Sequence, residues 1–329
     1  MRLLRVELRR FRLRALIRWG AVGAVAVALL LVAGAFQTST PLPQAQIDEI
    51  RAQYDEQVAD WDAHKDEYIA DCKQQEADAQ EADPSADYAC EQGGPGAWED
   101  WIGGTSSFSD AGISSIQSFG VVFLLLALFL GITFAAAETS SGAIGNWLTF
   151  EPRRRRVYWS KLAAASLGVL PIVAVALAVG TAGSWLAYEV HDATGSMTAA
   201  LWTDLGWSLG RLLLGSAAFA AIGVALGMLT RHTAAALGVV VAWFVVVELF
   251  GANMLDGLQR WLLVVNTEAW VAGGATYSVE TCTPSDGGGL SCSYVDHAVS
   301  LAQGGLVLAG LTIVVAVVSA LVFRRRDVA

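Results

Sequence analysis

Residues 119–162 read FGVVFLLLALFLGITFAAAETSSGAIGNWLTFEPRRRRVYWSKL. The first part, 119–137, contains no Asp, Glu, Lys or Arg, and it matches the roughly 20 apolar residues that carry a helix across a bilayer core of about 30 Å. Backbone groups in lipid must be satisfied within their own segment, so a run of this kind is helical. Glu138 ends it, and Thr139 to Gly142 supply cap and turn residues. Ile144, Trp147 and Leu148 then form an i, i+3, i+4 apolar face on a short helix that Pro152 stops. Arg153, Arg154, Arg155 and Arg156 follow at headgroup level, Tyr158 and Trp159 sit at the interface, and Lys161 enters the next apolar run.

Five further runs lie outward from this stretch, at 19–36, 163–188, 209–229, 233–250 and 299–323. Charge inside them is confined to Arg211 at the start of the fourth span and Glu248 in the fifth. With 54% hydrophobic and only 16% charged residues over 329 positions, the composition excludes an ordinary soluble domain. The expected architecture is an all-α polytopic membrane protein with six transmembrane helices. Residues 1–18 form an amphipathic interfacial helix, 19–36 the first span, 37–117 a small extracellular helical domain, and 118–329 the remaining spans. A cytoplasmic coupling segment, 138–162, and an extracellular loop, 251–298, interrupt the last of these regions.

Basic residues fix the orientation, because Lys and Arg near span ends stay cytoplasmic while acids contribute little. With both termini inside, the inner segments hold 16 of the 21 basic residues. The stretch 37–117 holds 18 acids against Arg51, Lys65 and Lys73. The plasma membrane is the expected location. Cys72, Cys90, Cys282 and Cys292 all fall on the outer side, where disulfides persist. Of three pairings, Cys72 with Cys90 and Cys282 with Cys292 keeps each bridge within one loop and contributes about 3 kcal/mol apiece on the loop-entropy model. Zinc is the competing reading of the cysteines. The absence of a Cys-x-x-Cys pair and the spacing of His64 and His297 argue against it, so no metal site is assigned.

Leu4, Leu8, Phe11 and Ala15 form one stripe among the N-terminal arginines, as in a helix lying on the inner leaflet. A cleaved signal peptide, with Ala33 and Ala35 as its small pair, is the alternative to a first span. Ile47, Ile50, Tyr54, Val58, Trp61, Lys65, Tyr68 and Cys72 alternate in threes and fours. They make a helical stripe that reads as a hairpin closed by Cys72 and Cys90, or as a dimerising coiled coil. Trp98, Trp101 and Ile102 read as anchors at the outer surface. In the last outer loop the five apolar residues 261–265 are too few to span and read as an interfacial helix.

An ionisable group at membrane depth is a functional candidate by default. For Glu248 three roles are open: an ion pair with Arg211, a substrate contact, or a side chain snorkelling to outer water, the last being favoured. Gly223 and Gly227 make a Gly-x-x-x-Gly pair suited to close helix packing. There is no catalytic constellation and no phosphate-binding loop with Lys-Ser or Lys-Thr, so the chain is not read as an enzyme.

At residues 134–162 the chain resembles the permease subunits of type-2 ATP-binding cassette (ABC) exporters. In that family a basic amphipathic helix leads into six spans, and a glutamate closes the second span ahead of a Gly-Thr pair. A short coupling helix and an Arg-rich segment then lead into the third. Glu138, Gly142 and Arg153 to Arg156 match in order, with Gly142-Ala143 in place of Gly-Thr. The resemblance continues through the inner turn Thr230-Arg231-His232-Thr233 and covers the whole topology. It implies a translocation path powered by a separate cytoplasmic ATPase, with Glu138, Gly142, Ile144, Trp147, Leu148, Arg153 and Arg154 coupling the two. ATP and magnesium would sit on that partner, and no cofactor on this chain. A second permease copy would complete the assembly, and no nucleic-acid partner is expected. The alternative is a membrane sensor or scaffold whose outer domain binds a partner.

Overall fold

The computed structural model describes residues 2–80, 87–102, 106–143, 145, 149, 153–251, 257–284 and 290–325. Six of its helices are long and apolar enough to cross a membrane: Ala15–Ser39, Phe108–Ser140, Arg154–Val190, Ala199–Thr230, Thr233–Gly251 and Leu301–Arg325. Five of them contain one of the runs expected from sequence, and the sixth contains all of its run but Val299 and Ser300, which end a strand, so the chain is a mostly helical, multi-pass membrane protein. At 1.5 Å per residue the shortest is about 28 Å long and the third about 55 Å, so the longer ones extend well past the hydrocarbon core. The second span starts at Phe108 rather than at the uncharged run, because a π-helical turn, Phe108–Gly112, carries Asp110 on its exposed side. The chain divides into two compact units, 1–37 with 107–277 and 298–329, and 38–106 with 278–297.

The first unit is built around the second and fourth spans. Two thirds (67%) of the most apolar window of each is buried, against 17–22% in the first, fifth and sixth. Small residues make that contact possible. A Cβ on Gly223 would collide with the carbonyl oxygen of Leu128, one on Gly131 with that of Ala220, and one on Gly227 would stand 2.7 Å from the Ile132 oxygen. The Gly-x-x-x-Gly pair is therefore spent within the chain, backbone against backbone. Buried hydroxyls add stitches between spans. Ser319 donates to the Ala225 carbonyl at 2.9 Å, Tyr158 to Ala316 at 2.7 Å and Ser166 to Ala217 at 2.9 Å.

At the arginine-rich end of this unit, the helix Arg2–Leu13 docks on protein. Phe11 is fully buried, meets Gly168 of the third span, and packs edge-on against Phe134 at 5.1 Å. Only part of the expected stripe faces inward: Leu4 and Leu8 are half-buried and Ala15 is exposed, while Glu7 is fully buried. The opposite end is closed by aromatics, with Phe108 against Trp185 at 5.0 Å and Tyr188 at 5.9 Å. There the helix Leu263–Ala272 differs from the interfacial helix expected. Asn266, Ala269 and Val271 are buried, its backbone lies against Gly304 of the sixth span, and Trp270 donates to the Arg211 carbonyl at 3.0 Å. Glycine at 304 and 305 opens the groove that lets so short a helix insert.

The second unit is organised on one helix, Gln44–Gln80, none of whose residues is fully buried. Among the described residues no second long helix pairs with it to make the expected hairpin. The described return, 87–102, is instead a 3-10 turn and a short helix, Trp98–Trp101. Trp98 and Trp101 face Tyr54 edge-on at 5.4 and 5.5 Å, and the Arg51 guanidinium stands 4.5 Å from the Trp98 ring centroid. Gly96, at φ 72°, adopts the left-handed turn that brings them there. Trp61 packs on Gly93, whereas Lys65 and Tyr68 stay exposed. The loop between the last two spans adds strands that the helical reading lacked: β1, Gly274–Pro284, and β2, Leu290–Ser300, pair in a two-stranded sheet. Half-burial alternates at Ala275, Tyr277 and Val279, the period of two that a strand imposes.

Candidate functional site

Five charged side chains, from three helices and the turn after the first of them, converge at the arginine-rich end of the first unit. Glu7 and Arg10 come from the N-terminal helix, Arg14 from the turn after it, Glu138 from the end of the second span, and Lys161 from the third. The Lys161 ammonium, fully buried, lies 3.0 Å from a Glu7 oxygen and also donates to Glu138. Arg14 reaches the other Glu138 oxygen at 2.5 Å and the carbonyls of Phe134 and Thr133 at 2.9 and 3.2 Å. Arg10 completes the group at 3.4 Å from Glu7 and 3.8 Å from Glu138. The Phe134 ring lies beneath two of the cations, 4.8 Å from Arg14 and 4.9 Å from Lys161.

Such a group is stable only as a set, since each buried charge costs several kcal/mol to desolvate and recovers it from its partners. What the arrangement does mechanically is join three elements at their ends. Thr139 extends the junction by donating to the Arg231 carbonyl at 3.4 Å, in the turn between the fourth and fifth spans. Glu138 was legible as a site residue from its position at a span end. Glu7 was not singled out, although it lies three residues after Leu4 and four before Phe11, on the apolar stripe itself.

Of the remaining residues expected to couple, Gly142, Arg153 and Arg154 are among those described. Gly142 has φ 70°, a left-handed conformation, with open space around it, which accounts for glycine at that turn. Ile144, Trp147 and Leu148 lie outside the described residues, as does Pro152. The described neighbours Ala143, Gly145 and Thr149 are helical. Arg153 caps the third span with an exposed side chain, and Arg154 is half-buried.

At the opposite end, Glu248 neither pairs with Arg211 nor snorkels to water. It is buried on a π-helical stretch, Phe244–Gly251, that closes the fifth span. Its carboxylate accepts the backbone N–H of Leu263 at 2.9 Å and of Val264 at 3.1 Å, and the Trp243 indole N–H at 3.1 Å. Glu248 thus satisfies orphan donors at the start of the inserted helix, where the helix dipole favours negative charge. Arg211 donates from Nε to the Trp207 carbonyl at 3.2 Å, and its guanidinium lies against Gly273. Beside Glu248 a cavity of about 560 Å³ opens between the second, fourth and fifth spans and the inserted helix. Sequence reading missed it because no local pattern brings residues 114–128 to residues 240–272.

In the second unit the described disulfides are Cys72–Cys90 and Cys282–Cys292, the local pairing. Glu280, Cys282 and Cys292 are the described residues close enough together to hold a metal, but both sulfurs are bonded to each other. Lys73 donates to Glu91 at 2.8 Å, which holds the Glu91 carboxyl below the ordinary carboxylate range and the Lys73 ammonium above its own. A family model described as a protein of unknown function, DUF2705, matches residues 99–329, more than half of the chain. No curated protein matches it.

Proposed function

We propose that the chain, a member of the DUF2705 family of proteins of unknown function, is the membrane-spanning permease subunit of an ABC exporter in the plasma membrane. The arginine-rich end faces the cytoplasm and the disulfide-bonded unit faces outward. A separate cassette ATPase binds the segment 138–162, and a second permease copy completes the transporter. The observation that carries this reading is the ionic junction, in which Glu138 and Lys161, at the two ends of that segment, meet Glu7 and Arg14. A push on the segment is thereby passed to the N-terminal helix and the first span as well as to the second and third. A junction that joined only neighbouring residues could not do this.

The test is co-purification from native membranes. The chain should bring down a cassette ATPase in equimolar amount, and Trp147→Asp should abolish that partnership while leaving the melting temperature of the purified chain unchanged. A stable native complex without an ATPase overturns the reading. It would favour the second one, a sensor or scaffold, which draws support from the separate compact unit built on a 37-residue helix.

A further inference from the structure

The cavity beside Glu248 combines three features that belong together chemically. Its lining is largely apolar, with Val121, Leu125 and Leu128 of the second span, Phe219 of the fourth and Val240 of the fifth. Trp243 and Phe244, both about half exposed, contribute aromatic surface. Its polar lining carries two carboxylates, Glu248 and Glu268, and of the described residues around it none is Lys, Arg or His.

The two carboxylates are not equivalent. Glu248 takes three N–H donors and sits at the positive end of the helix Leu263–Ala272, so its charge is largely answered within the protein. Glu268 lies inside that helix, is exposed, and has no hydrogen bond or ion pair among the described residues. An exposed, unanswered carboxylate on the lining of a mostly apolar cavity calls for a cation to face it. An apolar body, aromatic faces and one unanswered negative charge are the elements that recognise a hydrophobic cation. The volume of about 560 Å³ lies within the range of small-molecule sites.

We propose that this cavity is a binding site for a lipophilic cation, whose apolar body fills the space between the second, fourth and fifth spans and whose positive charge faces Glu268. The site goes beyond the exporter reading and stands without it, because binding needs neither an ATPase nor transport.

The full-length chain in nanodiscs of phosphatidylglycerol would be titrated with tetraphenylphosphonium and, separately, with tetraphenylborate, an anion of the same shape. The expected result is saturable binding of the cation at one site per chain and no saturable binding of the anion. Glu268→Gln should weaken cation binding at least tenfold with an unchanged melting temperature, since its side chain is exposed and unpartnered. Val121→Trp, which fills the apolar part of the cavity and leaves the charge in place, should weaken it as strongly. Equal binding of both ions overturns the proposal, and so does cation binding indifferent to both variants. Loss of the binding when phosphatidylethanolamine replaces half of the lipid also overturns it, because the cavity would then be the seat of a lipid ammonium group. If the chain binds the cation and purifies without an ATPase, the exporter reading fails and the site remains.

Discussion

Lys161 is fully buried between Glu138 and Glu7, carboxylates that precede it in the chain by 23 and 154 residues, so no local pattern joins the three. That separation explains why a reading of residues 138–162 named Glu138 but left Lys161 without partners and Glu7 without a role. Removing the lysine takes from Glu7 and Glu138 the buried cation between them, with the partly exposed Arg10 and Arg14 among the charges left beside them. Breaking a buried pair on one side costs about 3–5 kcal/mol, so Lys161→Met should lower unfolding stability by about that amount in detergent. The double variant Glu7→Gln with Lys161→Met removes one charge of each sign and should be less destabilised than Lys161→Met alone, a coupling that a double-mutant cycle reads directly. Additive losses, or a cost under about 1 kcal/mol for Lys161→Met, would show that the junction is solvated and holds nothing together.

At the scale of elements, helix existence is readable wherever an apolar run approaches bilayer length, and the six expected runs fall on described helices except for Val299 and Ser300 of the last, which end a strand. What could not be read was which helices pack together. Gly210 and Gly223 occupy the same helix and look alike in sequence, yet a Cβ at 210 meets nothing within 4 Å while one at 223 meets the backbone of the second span. Gly210→Ala should therefore be neutral or stabilise by up to about 1 kcal/mol through helix propensity. Gly223→Val should destabilise by about 3 kcal/mol or more, because backbone cannot give way as a side chain would. Thermal unfolding of the two variants in the same detergent compares them, and equal melting temperatures would refute the packing of the second and fourth spans described above. The paired strands around Cys282 and Cys292 went unread for a different reason: the half-buried alternation of Ala275, Tyr277 and Val279 is short, and the Gly-rich sequence at 285–289 dominates the composition there.

For the whole molecule, the residues of the ionic junction and the four cysteines lie in different parts of the chain's organisation. Lys161, Glu138 and Glu7 sit at one end of the first unit, whereas Cys72, Cys90, Cys282 and Cys292 all belong to the second. Disulfides persist in oxidising compartments, and arginine clusters near span ends remain on the cytoplasmic side. These signals, one chemical and one topogenic, are the grounds for the orientation proposed above. A membrane-impermeant maleimide tests it. In intact cells the chain should label only after treatment with an impermeant phosphine reductant, since both pairs are bridged. A cysteine introduced by Thr149→Cys, in a background with the four native cysteines changed to serine, should label only once the membrane is permeabilised. Labelling of Thr149→Cys in intact cells would invert the topology, placing the segment 138–162 where no cytoplasmic ATPase could reach it and removing the basis of the exporter reading.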